Sequence, residues 1–127
     1  MAAIVELIPL IQIDGALFVQ PTDSVVDVSG YTEGFVQWTI AQISRNGQPV
    51  IILVQTAIDN REEAYMTIAS VTYAADPAVI PHLEHLYLAG STNGASSAPG
   101  FARYLRIRVD QDPGASITIQ AKAVLKP

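Results

Sequence analysis

The stretch that decides the fold runs from residue 34 to residue 57 and reads GFVQWTIAQISRNGQPVIILVQTA. In its first half, apolar and polar side chains alternate with a period of two. This period is typical of a half-buried β-strand, whose successive side chains point to opposite faces. Val36, Trp38 and Ile40 therefore fall on one face, and the pattern predicts that this face packs into a core.

The middle and the second half of the same stretch predict a turn and a second strand. Arg45-Asn46-Gly47 contains the Asn-Gly pair that is favoured in two-residue β-turns, and it predicts a hairpin. Residues 49–57 are apolar at consecutive positions, so both faces of that strand require cover. We therefore expect residues 49–57 to lie in the centre of a sheet.

The same strand pattern continues on both sides of this stretch. Short runs of alternating or β-branched residues are separated by turn residues, and they predict strands at residues 4–13, 16–20, 24–29, 64–73, 85–90, 102–110 and 115–125. Pro21-Thr22-Asp23 is predicted to be a turn and residues 91–100 a loop, and Asp59-Asn60 turns the chain into the strand at 64–73. About eight or nine short strands without a convincing helix predict an all-β antiparallel sandwich of the jelly-roll type, formed as one domain by residues 1–127.

Composition excludes several classes of function. The chain has 127 residues and no cysteine, which rules out disulfide frameworks and thiolate chemistry. Its net charge of −5 disfavours extended binding to nucleic acid phosphates. No apolar run approaches the roughly 18 residues of a membrane span, and the start of the chain lacks the basic region of a signal peptide. We expect a soluble protein with no nucleic acid partner and no membrane partner.

The basic residues cluster near the end of the chain. In a strand at residues 102–110, Tyr104, Arg106 and Arg108 point away from the apolar set. If the next strand pairs with it as a hairpin, Lys122 joins the same outer face. This face is either a solvated sheet surface or a contact surface for an acidic partner, and a catalytic role for the arginines is not expected.

No pattern predicts a catalytic, metal or cofactor site. His82 and His85 flank Glu84, but two histidines outside a helix do not supply the third ligand that zinc requires. No serine lies in a nucleophile-like turn, and Glu62 and Glu63 fit a solvated turn better than a converging acid pair. We therefore expect no catalytic residue, no metal and no cofactor.

The N-terminal segment is predicted to make an interface. Residues 1–13 carry apolar side chains on both faces of an extended chain, and Pro9 places them at a sheet edge or in an arm. A single sandwich covers one face of an edge strand. We therefore expect Ile4, Leu7 and Leu10 to contact a neighbouring copy or another protein, with a homotrimer as the favoured assembly.

A resemblance to known proteins rests on motifs spread over most of the chain. They are VDVSGY at 26–31, TAIDN at 56–60, Tyr65 on the following strand, RYLR at 103–106 and AVLK at 123–126. These motifs resemble small jelly-roll virion proteins of tailed bacteriophages, of the head-decoration or accessory type. The strand pattern is also similar to the galactose-binding-like, or discoidin-like, jelly roll.

The resemblance implies a function without catalysis. It implies a subunit that is made in the host cytoplasm, docks on the capsid protein of a phage-like head, contacts copies of itself and stabilises the virion. The alternative is a carbohydrate-binding module of the galactose-binding-like class. A fold likeness by itself establishes neither function.

Overall fold

The computed structural model describes residues 3–20, 25–89 and 100–127. The strands in these residues are β1 (Ala3–Asp14), β2 (Leu17–Val19), β3 (Val26–Asp27), β4 (Glu33–Ser44), β5 (Val50–Ala57), β6 (Met66–Tyr73), β7 (His82–Ala89), β8 (Tyr104–Asp110) and β9 (Ser116–Lys126). A single 3-10 turn, Glu62–Ala64, lies between β5 and β6. The turn predicted at residues 21–23 and almost all of the loop predicted at 91–100 lie outside the described residues.

The strands form two antiparallel sheets. Sheet A has the order β1-β9-β4-β7, and sheet B has the order β2-β8-β5-β6 with β3 also paired to β8. Successive strands lie in opposite sheets, except for the β2–β3 and β5–β6 pairs. This alternation between two sheets is the topology of a jelly roll, and the all-β sandwich predicted from the sequence is confirmed.

Two predicted hairpins are wrong. Asn46 and Gly47 have positive φ angles of 53° and 77°, so the tight turn exists, but it leads from β4 in sheet A to β5 in sheet B. β8 and β9 likewise belong to opposite sheets. Turn chemistry is local and gives the chain its reversal, whereas the sheet that each strand joins depends on distant partners.

β1 is an edge strand of sheet A, as Pro9 predicts. It pairs with β9, and its register shifts between Glu6 and Ile8 and again between Ile8 and Ile11. The shifts mark β-bulges, which place extra residues in β1 and change the side-chain alternation. Leu7 and Ile8 are therefore both buried, although they are neighbours in the chain.

The core lies between the inner faces of the two sheets. All six residues predicted to share one core have no exposed surface: Val36, Trp38, Ile40, Leu105, Ile107 and Val109. β9 adds a regular inner row, because every second residue from Ile117 to Leu125 is fully buried. β5 is central in sheet B, as the consecutive apolar residues predict.

Two isoleucines give a direct test of this core. Replacement Ile107→Ala removes methyl groups from a site with no exposed surface, so we expect the free energy of unfolding to fall by about 2–5 kcal/mol. The matched control Ile58→Ala changes a side chain that is 73% exposed, and we expect a change within about 0.5 kcal/mol. Urea unfolding followed by tryptophan fluorescence measures both, and equal effects would contradict the assigned core.

Candidate interaction surfaces

The basic face predicted at the end of the chain does not form. Arg106 and Arg108 lie on the outer face of β8 in sheet B, whereas Lys122 lies on β9 in sheet A. The two strands are consecutive in the chain but pair with different neighbours, so the three side chains point out of opposite sides of the sandwich. The predicted grouping of these residues is therefore corrected.

Arg106 is a buried structural residue, with 2% of its side chain exposed. Its two terminal nitrogens donate to the Glu62 carboxylate at 2.7 and 3.0 Å, and its Nε donates to Gln55 Oε1 at 2.7 Å. The ring of Tyr65 covers the guanidinium at 3.9 Å from its centroid. The forked geometry and the aromatic cover satisfy a charge that would otherwise be costly to bury. The cluster fixes the β5–β6 connection on sheet B.

The charges in this cluster perturb two pKa values. Hydrogen bonds from Arg106 hold the pKa of Glu62 below its ordinary value. Burial is the main cause that raises the pKa of the Tyr65 phenol, and the Arg106 charge opposes it in part. The lowered pKa of Glu62 and the raised pKa of Tyr65 are both consistent with a neutral tyrosine ring packed on an ion pair. Such an arrangement stabilises the fold.

The other arginines are also paired within the chain. Arg108 Nε donates to Asp110 at 2.9 Å, and Arg45 Nε donates to Asp76 at 2.7 Å. Arg103 Nε donates to Asp27 at 2.9 Å. Hydrogen bonds from Ser29, followed by that from Arg103, lower the pKa of Asp27 to about 2. The arginines thus neutralise carboxylates of their own chain and do not form a free basic patch.

Lys122 differs from the other basic residues. All seven basic side chains lie in described residues, and six of them have a carboxylate within 4.0 Å. No carboxylate of the described residues lies that close to Lys122. It is half-buried on the outer face of sheet A. Lys122 therefore lies, without an ion pair among the described residues, on the side of the sandwich opposite to Arg106 and Arg108.

The outer face of sheet A is organised in three rows that cross its four strands from β1 to β7. The register places the first row as Ile4, Val124, Phe35 and Tyr87, and the second as Glu6, Lys122, Gln37 and His85. The third row contains Gln120, Thr39 and Leu83, and the bulged part of β1 between Ile8, opposite Ala121, and Ile11, opposite Ile119, brings Leu10 to the β1 end of this row. Four apolar side chains on this face are strongly exposed: Ile4 by 72%, Leu10 by 59%, Leu83 by 50% and Tyr87 by 67%.

An aromatic group lies at the β7 side of this face. The Phe35 ring contacts the rings of His85 and Tyr87, with centroids 5.4 and 5.8 Å apart. The planes are tilted by 70° and 56°, so the rings do not form one flat platform. His85 Nε2 also lies 2.9 Å from Gln37 Oε1.

The predicted interface residues are distributed over three environments. Ile4 and Leu10 lie on the outer face of sheet A and are exposed. Leu7 is 3% exposed and belongs to the core, because it alternates with Val5 on the inner face of β1, so its predicted contact with a neighbour is corrected. Tyr104 is half-buried on sheet B, where the Arg103 guanidinium lies 5.2 Å from its ring centroid. Its interface role and that of Arg108 stay predictions.

The histidines lie on opposite faces of β7. His82 Nε2 is 3.2 Å from Glu84 Oε1, which also accepts from Tyr73 Oη at 3.1 Å. Tyr73 in turn accepts from Trp38 Nε1 at 3.0 Å, and burial is the first cause that raises its pKa to about 12. This chain of hydrogen bonds joins the edge strands β6 and β7 across the side of the sandwich. His85 points away from it, so the two histidines do not converge.

Three observations concern other kinds of site. The described residues contain no group of three or more His, Cys, Asp or Glu side chains that could hold a metal ion. Among them, no helix has the length and apolar character needed to cross a membrane.

An open groove of about 340 Å³ is lined by Gln42, Ile43, Ser44, Asp76, Ile80 and Ser116. The Asp76 carboxylate in its wall is bound by Arg45. The expected absence of catalysis and cofactors stays a prediction.

The Arg106 cluster predicts a pH-dependent stability difference. Replacement Glu62→Gln keeps the side-chain size but removes the charge that pairs with a buried guanidinium. Because the Glu62 side chain is 65% exposed, solvent screens part of the loss, and we expect about 1–2 kcal/mol at pH 7. The control Glu63→Gln removes a 71% exposed partner of Arg61, and we expect at most about 0.5 kcal/mol.

The pH dependence follows from the lowered pKa of Glu62. A carboxylate with a depressed folded-state pKa stabilises the fold fully above its ordinary pKa of 4.5 in the unfolded chain, and it loses this effect as the pH falls through the folded-state pKa. The difference between the parent and Glu62→Gln should therefore shrink below pH 4.5. Urea unfolding at several pH values measures it, and a difference that grows on acidification would contradict the pairing.

Comparison with known protein families, with curated proteins and with solved structures found no match. The function of this chain is therefore inferred from its own residues.

Proposed function

We propose that the chain is a non-enzymatic structural subunit of a virion, a decoration or accessory protein that docks on a phage-like head and contacts copies of itself. The observation that carries the proposal is the outer face of sheet A, where exposed apolar side chains lie on both edge strands, β1 and β7, and flank a lysine that has no ion pair among the described residues. The motif resemblance supplies the virion context.

The composition of this face favours protein contact. Contiguous exposed apolar patches are uncommon on monomers and typically mark interaction sites. Tyrosine and other aromatic residues are enriched in interface centres, and charged residues are depleted there. The three rows of sheet A follow this composition, because Glu6 and Lys122 are their only Asp, Glu, Lys or Arg residues, and the neighbouring Lys126 is paired with Glu33.

Repetition on a head makes modest contacts sufficient. A subunit that binds a lattice in many copies gains avidity, since each bound copy raises the effective concentration of the contacts around it. Such a protein needs a stable fold and complementary faces, and it needs no convergent acid and base. In this role the chain is made in the host cytoplasm and resides on the capsid surface of the virion.

A second candidate function is carbohydrate binding. The aromatic group of Phe35, His85 and Tyr87 favours it, because the exposed Tyr87 ring offers a face for stacking and Gln37 offers hydrogen bonds. The tilt between the rings works against a flat sugar platform. We therefore place the structural role first.

Co-sedimentation with heads tests the proposed function. Purified chain is mixed with heads that lack it, taken from the phage or prophage that encodes it, and the bound fraction is measured. We expect saturable binding, and Leu83→Glu should weaken it by about tenfold because it places a charge in the apolar contact between copies, on which the avidity for the lattice depends. The matched control Leu17→Glu changes a leucine of similar exposure, 53% against 50%, on sheet B.

A glycan array on the same preparation separates the two candidates. Selective glycan binding that is lost in Tyr87→Ala, together with no binding to heads, would overturn the structural role. Binding to heads with a blank array supports it.

A further inference from the structure

We propose that the outer face of sheet A binds the same face of a second copy, about a two-fold axis that runs parallel to the strands between β9 and β4. The inference rests on the proposed function, because it names the partner at that face. It follows from the order of residues within the three rows.

Rotation about this axis leaves each row at the same position along the strands and reverses the order of its residues across the sheet. β1 then faces β7 of the second copy, and β9 faces its β4. Contacts made by a two-fold axis are reciprocal, so each complementary pair occurs twice. The arrangement is favourable if the residues that face each other, the first and last and the two middle members of each row, are chemically complementary.

The apolar residues meet apolar residues in this arrangement. In the first row, Ile4 faces Tyr87 of the second copy, and Val124 faces Phe35. These pairs bring together side chains from both edges and from the centre of the sheet. Two of them, Ile4 and Tyr87, are among the most exposed apolar side chains of the fold, so burying them removes apolar area from water.

The remaining rows are complementary as well. In the second row, the Glu6 carboxylate faces the His85 imidazole of the second copy, which can donate an N–H to it. Lys122 faces the Gln37 amide, whose oxygen can accept from the ammonium group. In the third row, Leu10 faces Leu83 across the interface.

A two-fold axis perpendicular to the strands gives unfavourable contacts. If this axis runs along the second row, each strand faces the same strand of the second copy, and the first row faces the third. Glu6 then meets Glu6 of the second copy, and Lys122 meets Lys122, so like charges are forced together. Val124 and Phe35 would face Gln120 and Thr39. The order of the charges therefore selects the axis parallel to the strands.

The size of the face lies at the lower end of the range of specific protein interfaces. Four strands about 4.8 Å apart, with a rise of about 3.3 Å per residue over 8–12 residues, give roughly 500–750 Å². A standard interface buries about 800 Å² per partner. Aligned sheets pack about 10 Å apart with strand directions within about 30°, which this axis allows.

The two-fold contact replaces the trimer expected from the sequence. A ring of three copies joins two different patches, whereas this face is complementary to itself. Ile4 and Leu10 keep their predicted role at a contact between copies.

Sedimentation equilibrium of the full chain tests the proposal. We expect a dimer of twice the 13.6 kDa chain mass. Ile4→Glu should weaken dimerisation by at least about tenfold. The control Ile58→Glu changes an isoleucine of the same exposure, 73% against 72%, away from this face, and should leave the dimer intact. A monomer or trimer for the parent chain, or equal effects of the two variants, would overturn the proposal.

A charge exchange identifies the axis. Glu6→Lys and His85→Glu should each weaken the dimer by about tenfold, and the double variant should recover most of the parent affinity. Glu6 and His85 lie on opposite edge strands about 14 Å apart, so a pair within one chain cannot cause the recovery. Circular dichroism confirms folding of each variant, and a double variant weaker than either single variant would overturn the assigned axis.

Head binding separates this inference from the proposed function. A monomeric chain that binds heads would refute the dimer and leave the structural role. A dimer that binds no heads would refute the structural role and leave the dimer.

Discussion

The structure depends on burial of one face of every long strand between two sheets. β4, β5, β8 and β9 supply most of this inner surface, and their inward side chains have almost no exposed area. Unpaired polar groups are costly in an apolar interior, and at its margin Trp38, Tyr73 and Glu84 are hydrogen-bonded to one another. Everything that can meet a partner is consequently placed on the two outer faces and at the ends of the strands.

The two outer faces use their charges differently. On sheet B, Arg106 and Arg108 are bound to carboxylates of the same chain, and Arg106 is covered by the β5–β6 connection. Bound in this way, the arginines contribute to stability and have little capacity left for an acidic partner. On sheet A, Lys122 has no carboxylate within reach among the described residues, and apolar side chains surround its row. The face that combines exposed apolar side chains with this lysine is therefore the better candidate for protein contact.

A sheet face can bind the same face of a second copy when each of its rows is complementary to that row in reversed order. The three rows of sheet A have this property, since each apolar edge residue has an apolar counterpart at the other edge and Glu6 has His85. Dimerisation through this face doubles the contacts that each unit offers to a lattice. This fits a structural subunit, in which affinity arises from repeated modest interfaces.

The sequence by itself determined, to within a few residues, where the long strands of the described residues lie and which residues form most of the core, because alternation of period two and turn chemistry are local properties. It placed Trp38 inside, β5 in a sheet centre and β1 at an edge. The tertiary structure alone decided which strands pair. It separated Lys122 from Arg106, turned Ile8 inward beside Leu7 through a bulge, and brought Glu62 and Tyr65 onto a buried arginine. Strand pairing depends on contacts between residues far apart in the chain, and a local pattern carries no information about which distant strand supplies them.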